Sequence, residues 1–155
     1  EDKKVVRAMP NTPAAVQAGM TAFTFGENVT AEEQEKVLKL FSLAGGTSVL
    51  PERLMNAVSA LTGSSPAYVY MFIEAMGDAG CYAGIPRQQA YELAAQAVLG
   101  SAKMVLESGK HPAQLKDEVC SPGGTTIRAV AQLEKDGMRS AVIEAIRSCV
   151  DAAEK

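Results

Sequence analysis

From residue 52 to the end of the chain, the sequence carries an almost continuous helical signal, and this feature constrains the fold most strongly. Apolar residues recur at the i, i+3, i+4 spacing that places them on one face of a helix. Proline and glycine interrupt the signal where helices begin and end. The pattern predicts helices over residues 52–61, 66–83, 86–108, 112–120, 127–136 and 138–153. A chain with this pattern is predicted to be mainly α.

The predicted helices differ in how their apolar residues are distributed. The last one has a single apolar stripe made of Met138, Ala141, Val142, Ala145, Ile146, Cys149 and Ala153. Helices 66–83 and 86–108 are apolar nearly all round and rich in small residues, including Gly77, Gly80 and Gly84. Glycine costs a helix about 1 kcal/mol relative to alanine, so its presence indicates close packing. A chain of 155 residues offers few partners for such helices, which favours a homodimer over a compact monomeric bundle.

Residues 1–51 read as a small α/β piece. β-Branched and alternating residues predict strands over residues 5–9, 20–25 and 47–50. Thr30 is a predicted N-cap with Glu33 at the capping-box position, so a helix follows. Gly45 and Gly46 are predicted to end that helix.

Composition excludes two classes of partner. The net charge of -3 and pI near 5.2 leave no basic stripe for the phosphates of a nucleic acid. The longest apolar run, residues 67–73, is far shorter than the roughly 20 residues of a membrane span. The chain opens Glu1-Asp2 without a methionine or a signal segment, as a piece cut from a longer protein does, although a tag or processing gives the same start.

The three cysteines, Cys81, Cys120 and Cys149, are widely spaced and form no CxxC pair. With one histidine, His111, they cannot complete a zinc set, so no metal site is predicted. Because each cysteine lies among apolar helical positions, we expect three buried, reduced thiols in a reducing cytoplasm.

Ser121-Pro122-Gly123-Gly124-Thr125-Thr126, directly before a predicted helix, is the first candidate site. Glycines let a ligand approach the backbone, and a helix start offers unpaired N–H groups and the positive end of the dipole. That combination suits a carboxylate or a phosphate, with nearby hydroxyls as further donors. The pattern alone favours an ordinary turn with Thr125 or Thr126 as the N-cap.

Two further segments are weaker candidates. The proline-bracketed loop Met9-Pro10-Asn11-Thr12-Pro13 ends a strand, where ligands dock in α/β sheets, but the pattern alone favours a plain loop. The segment from Gly63 to Pro66 reads as a helix break with its cap, and it contains no G-x-S-x-G nucleophile motif, which disfavours a hydrolase. No G-x-G-x-x-G or Walker A sequence is present, so the chain alone cannot hold a dinucleotide pyrophosphate in the usual way.

Taken together, four stretches of the chain resemble the pyrroline-5-carboxylate reductase family. They are RAMPNTPA from Arg7, GSSPAY from Gly63, AQAVLGSAKM from Ala95, and HP at His111 leading through LKD to SPGGTT at Ser121. The resemblance covers essentially the whole chain, and its specificity comes from the order and spacing of the four stretches.

The resemblance implies a fold and an assembly. Residues 1–51 correspond to the last α/β segment of a Rossmann domain for NAD(P)H, and residues 52–155 to an all-helical domain of the 6-phosphogluconate dehydrogenase C-terminal-like type. The second part binds substrate and interlocks with its twin in a homodimer, and dimers of the family often form decamers. The glycine-rich cofactor motif would lie upstream of this chain, which by itself would lack turnover.

The resemblance also implies residue roles. The substrate carboxylate would sit on the loop of Ser121, Gly123, Gly124, Thr125 and Thr126, with Thr126 as the catalytic hydroxyl beside the ring nitrogen. The loop of Met9, Pro10, Asn11 and Thr12 would lie against the nicotinamide of NADPH or NADH. An acidic residue that precedes the His-Pro pair in related enzymes is replaced here by Gly109-Lys110, so its role is not transferred.

The sequence leaves two alternatives open. One is a related imine or hydroxy-acid reductase that keeps the helices but takes another substrate. The other is a non-catalytic helical dimerisation module without a ligand.

Overall fold

A computed structural model describes residues 2–154 and confirms a mainly helical fold with a small sheet. Its strands are β1 (Val6–Met9), β2 (Gly19–Phe25) and β3 (Gly45–Val49). Its α-helices are α1 (Ala31–Phe41), α2 (Met55–Val58), α3 (Ser65–Tyr82), α4 (Arg87–Ser108), α5 (Pro112–Val119), α6 (Thr125–Lys135) and α7 (Met138–Ala153). Contacts divide the chain into two compact units, residues 2–68 with 144–154, and Val69–Ile143. The predicted division at residue 51 stays a prediction.

The sheet of the first unit has the order β1-β2-β3. β1 pairs antiparallel with β2 from Val6 opposite Phe25, and β2 pairs parallel with β3 from Gly19 opposite Gly45. The central strand does not alternate between buried and exposed residues, since Thr21, Ala22 and Phe23 are all buried. Both faces of β2 are therefore covered, and the predicted strand over residues 20–25 is confirmed.

Two glycines that were predicted to end α1 instead begin β3. The helix ends at Phe41, a short 3-10 turn (Ser42–Ala44) follows, and Gly45 and Gly46 then pair with β2. A side chain at Gly45 would place its Cβ 2.1 Å from the Gly19 carbonyl oxygen, and its φ of 138° is unfavourable for other residues. The glycine is there because the two strands approach closely.

The core of the first unit lies on both sides of β2. On one side Phe23 is fully buried and meets the ring of Phe41 edge-on, with ring centroids 5.0 Å apart. On the other side Ala22 packs in a cluster with Met55 and Val58 of α2. At the start of α1, the Thr30 and Glu33 capping box is confirmed.

The segment before α3 is less regular than the predicted helix 52–61. A 3-10 turn (Glu52–Leu54), α2 and a π-helical turn (Ser59–Gly63) follow one another. α3 then begins at Ser65, with Pro66 in its first turn, where a missing N–H is tolerated.

In the second unit, α3 and α4 pack through small residues, as expected. A Cβ added at Gly77 would lie 2.3 Å from the ring of Tyr91, and one at Gly80 would lie 3.0 Å from the Cβ of Ala90. The third glycine of the stripe, Gly84, lies outside the helix in a turn with φ of 94°. Part of the close packing is therefore made within the chain, by α4 itself.

The cysteines are less buried than predicted. Cys81, Cys120 and Cys149 are free thiols of intermediate exposure, so the expectation of full burial is wrong for this single chain. Between residues 2 and 154, no helix is long and apolar enough to cross a membrane.

Candidate functional site

The segment Ser121–Gly124 forms a tight turn that leads into α6. The Gly124 N–H donates to the carbonyl oxygen of Ser121 at 3.0 Å, and Gly123 has φ of 69°. Proline at the second position and a positive-φ glycine at the third are the preferences of a type II turn. The turn thus explains Pro122 and Gly123 by backbone conformation alone.

The second glycine has a different cause. A Cβ at Gly124 would lie 2.3 Å from the Ser121 Oγ and 3.1 Å from the Ser121 carbonyl oxygen. The serine side chain therefore folds back into the space that glycine leaves. The residue that lies closest to Gly124 is therefore Ser121 of the same turn.

Gly124 is also the N-cap of α6, in place of the threonine cap that the pattern favoured. Thr125 and Thr126 are the first two residues of the helix, and Gly124 has no side chain that could accept an N–H. Helix geometry gives the first N–H groups no intrahelical acceptor. The start of α6 therefore presents the Thr125 and Thr126 amides at the positive end of the helix dipole.

The starts of α1 and α5 are built differently. The Thr30 side chain accepts the Glu33 N–H in α1, and the His111 ring Nδ1 accepts the Ala113 N–H at 3.2 Å in α5. In each of those two helices a side chain accepts one N–H of the first turn, and His111 is thereby accounted for as a cap.

The loop segments differ in accessibility. Ser121, Gly123 and Thr125 are exposed, whereas Gly124 and Thr126 are of intermediate exposure. Thr126 thus has its hydroxyl-bearing side chain in the partly buried first turn, next to the two helix-start amides. The arrangement suits a small anion with one further polar group.

The second loop, from Met9 to Thr12, lies in the first unit. Met9 packs against the core cluster of Ala22, Met55 and Val58. Pro10 and Thr12, which flank Asn11 in the sequence, are exposed, and Thr12 begins a 3-10 turn (Thr12–Val16).

Asn11 has both ends of its carboxamide engaged. Its Oδ1 accepts the Met20 N–H at 2.8 Å, and its Nδ2 donates to the carbonyl oxygen of Thr62 at 3.0 Å. The loop is thus fixed at Met9 and Asn11, and its free side chains are those of Pro10 and Thr12.

A polar cluster around the GSSPAY segment was not foreseen. Ser64 Oγ lies 3.3 Å from Cys149 Sγ, and burial raises the pKa of Tyr68, with a contribution from Cys149. Ser64 and Tyr68 are four residues apart, the spacing that brings helical side chains together. The sequence spacing could have indicated the Ser64–Tyr68 pair, but not that Cys149 of α7 lies beside it.

Among residues 2–154, no group of three or more histidine, cysteine, aspartate or glutamate side chains is arranged to hold a metal ion. Lys110, directly before His111, pairs with both carboxylate oxygens of Glu118 at 2.8 and 3.0 Å.

Fold and site define a class first: a mainly helical domain that follows an α/β segment and presents a glycine-capped helix start. Comparison with known families gives a more specific result. Residues 52–155 match the family described as "Pyrroline-5-carboxylate reductase dimerisation". The chain therefore belongs to the pyrroline-5-carboxylate reductase family.

Individual relatives agree with this assignment. A pyrroline-5-carboxylate reductase of Escherichia coli (strain K12) is 58% identical over 154 residues, which cover 99% of this chain and 57% of that protein. A Coxiella burnetii pyrroline-5-carboxylate reductase structure aligns with a TM-score of 0.95 at 35% identity, covering 99% of this chain and 57% of that one. A Plasmodium falciparum structure with NADP bound aligns at 0.88, with 34% identity and 97% and 61% coverage. The chain thus spans a little over half the length of these relatives.

Proposed function

We propose that the whole protein reduces 1-pyrroline-5-carboxylate to L-proline with NADPH or NADH, as the last step of proline biosynthesis. The observation that carries the proposal is the start of α6, where glycine at the N-cap provides no side chain to accept the first N–H groups of the helix. Similarity to named reductases over 99% of the chain supports it.

The substrate's carboxylate is assigned to the Ser121–Thr126 loop. A carboxylate at a helix start gains charge-assisted hydrogen bonds from N–H groups and a favourable dipole. Because the Gly124 N–H already donates to Ser121, the Thr125 and Thr126 amides are the donors. Gly123 and Gly124 shape the turn, and the exposed Ser121 hydroxyl is close enough to the turn to add a bond.

Thr126 is the proposed catalytic hydroxyl. With the carboxylate held at the first turn of α6, the ring nitrogen of a five-membered cyclic imine lies within reach of a side chain from the same turn. The Thr126 Oγ1 would pass a proton through water to the imine nitrogen, which forms the iminium, and would then accept the iminium N–H and so orient the ring for hydride addition. A nicotinamide, when bound, supplies the hydride that the imine carbon accepts.

The Met9–Thr12 loop is assigned to the nicotinamide end of the cofactor. The side chains of Pro10 and Thr12 are exposed, while core packing of Met9 and the hydrogen bonds of Asn11 fix the backbone between them. The loop thus offers a rigid surface that suits a flat ring. The pyrophosphate site falls outside this chain, which has no glycine-rich dinucleotide motif.

We further propose a homodimer formed through the helices, with a decamer as the higher assembly, in a reducing cytoplasm. Large apolar side chains on α3 and α4, among them Phe72 and Leu99, are exposed in the single chain. The match to a dimerisation family supports a second copy as their cover. Three free thiols agree with a reducing compartment.

A pair of threonine substitutions in the full-length protein tests the catalytic assignment. Thr126→Ala should lower kcat/KM for the imine by about 100-fold, the scale of a lost proton-transfer group, with little change in melting temperature. Thr30→Ala is the matched control, because it removes the capping box of α1 and costs about 1 kcal/mol of stability without affecting turnover. Unchanged kinetics in Thr126→Ala would refute the role.

Ligand binding separates the reductase from the two other candidates. Proline, or a five-membered cyclic carboxylate, should shift the amide resonances of Thr125 and Thr126 in the assembled dimer. Binding of a linear hydroxy acid in its place would favour a related reductase. No binding by the properly assembled dimer would favour a dimerisation module.

A further inference from the structure

We infer that Asn11 is a positioning residue, which fixes the Met9–Thr12 loop to the π turn (Ser59–Gly63) and so sets where Pro10 and Thr12 meet the cofactor. The inference rests on the proposed function. The Asn11 side chain then binds the protein's own backbone, and Pro10 and Thr12 make the contact with the cofactor.

The geometry around Asn11 carries the inference. One carboxamide joins three segments: Oδ1 accepts from Met20 at the start of β2, and Nδ2 donates to Thr62 in the π turn. The Asn11 backbone carbonyl also accepts the Ala14 N–H at 3.1 Å. The Nδ2 and Oδ1 of the Asn11 side chain both make hydrogen bonds of ordinary length. The side chain therefore holds the loop in place.

Pro66 explains why Thr62 needs a donor from elsewhere. In an α-helix the carbonyl of residue 62 would accept the N–H of residue 66, and proline has none. The next amide, Ala67, donates instead to the carbonyl oxygen of Ser64 at 3.1 Å. A partly buried carbonyl without a donor is costly, and the Asn11 Nδ2 supplies the bond. Two motifs about fifty residues apart are therefore coupled through one hydrogen bond.

Asn11→Asp in the full-length enzyme tests this coupling, since aspartate keeps the size and the acceptor for Met20 but loses the donor to Thr62. We expect kcat/KM for NADPH to fall on the order of tenfold through a higher KM, with the KM for the imine unchanged. Asn56→Asp is the matched control, because Asn56 also donates to a distant backbone carbonyl, that of Ala153, at 3.3 Å. The control should leave the NADPH KM unchanged.

Pro66→Ala distinguishes positioning from direct contact. The new N–H at residue 66 can donate to the Thr62 carbonyl, so Thr62 no longer depends on Asn11. In that background Asn11→Asp should cost about threefold or less. Equal losses in both backgrounds would mean that Asn11 touches the cofactor itself, and the inference would be overturned.

Hydrogen exchange gives a readout that is independent of turnover. Asn11→Asp should accelerate amide exchange in the peptide covering residues 9–20, and Pro66→Ala should reduce that effect. Absence of reductase activity in the wild type, with this exchange pattern present, would reject the proposed function alone. Normal kinetics and normal exchange in Asn11→Asp would reject the positioning role alone.

Discussion

The two units of the chain bury very different side chains. In the first unit, the large residues Phe23 and Met55 have no exposed surface. In Val69–Ile143, the buried positions are small: Gly77, Ala90 and Ala94. Large apolar residues of that unit lie at the surface of the single chain, as the exposed fractions of Leu99 (57%) and Leu106 (84%) show.

This difference shows which unit completes its core within one chain. Burial of apolar surface contributes roughly 25 cal/mol per Å² to the free energy of unfolding, and exposed leucines and phenylalanines do not make this contribution. The α/β unit gains that stabilisation by covering both faces of β2. The helical unit reaches it only when another surface covers α3 and α4, which is what a dimerisation domain requires.

The largest expected effect is at the centre of the α/β unit. Phe23→Ala should destabilise the chain by about 4 kcal/mol, because the cavity lies between the sheet and Phe41. Urea denaturation with matched m-values would measure it. Tyr82→Ala is the control, with a side chain 96% exposed and an expected effect within about 0.5 kcal/mol. A large loss in Tyr82→Ala would break the comparison, since it would mean that the tyrosine is covered.

A charge on the exposed apolar face should disrupt the assembly. Phe72 lines a groove between α3 and α4. In the proposed dimer, a glutamate at this position would be buried. We expect Phe72→Glu to weaken dimerisation by on the order of 2 kcal/mol, or about thirtyfold, in sedimentation experiments. Gln96→Glu adds the same charge at an exposed position of α4 and should leave the dimer intact. A dimer unaffected by Phe72→Glu would place the interface elsewhere.

Two glycine substitutions compare a covered with an open helix position. Gly77→Ala should cost about 1 kcal/mol in spite of better helix propensity, because its Cβ would meet the Tyr91 ring. Gly100→Ala meets no atom within 4 Å and should stabilise by up to about 1 kcal/mol. Thermal unfolding of both variants provides the test. If Gly100→Ala proves destabilising, another chain approaches α4 at that point.

The smallest expected effect is a pH dependence in the α/β unit. Hydrogen bonds from Lys4 Nζ, at 2.5 Å, and then from the Thr30 N–H lower the pKa of Glu33 to about 2. Because the folded pKa is depressed, the contribution to stability is present above about pH 4.5 and is lost as pH falls towards 2. NMR titration of the Glu33 carboxyl should show the midpoint, and Lys4→Met should raise it. An unchanged midpoint in Lys4→Met would remove the ion pair as the cause.

Much of the fold could be predicted because helix signals are local. Prolines and glycines mark both ends of α4 and the starts of α5 and α7 within one or two residues of the predicted positions. The capping box of Thr30 and Glu33 is local in the same sense. Errors arose where distant backbone decided the outcome, as at Gly45, whose role depends on Gly19 in another strand.

The candidate site shows the same limit. The sequence located the helix start after Gly123-Gly124, but it favoured a threonine as the cap. Both threonines lie inside α6, and Gly124 is packed against Ser121 of its own turn. The residues of the loop were therefore enough to predict a candidate anion site. Which backbone amides are already hydrogen-bonded and which remain for a ligand depended on three-dimensional geometry.

By itself, the sequence determined the helices, the prolines and glycines at which they begin or end, and the glycine-rich turn before α6, because these depend on interactions within a few residues. Tertiary structure alone decided that Asn11 holds Thr62, that Tyr91 needs Gly77, and that Cys149 lies beside Ser64. Each of these depends on side chains that are far apart in sequence, and no local preference encodes which of them meet.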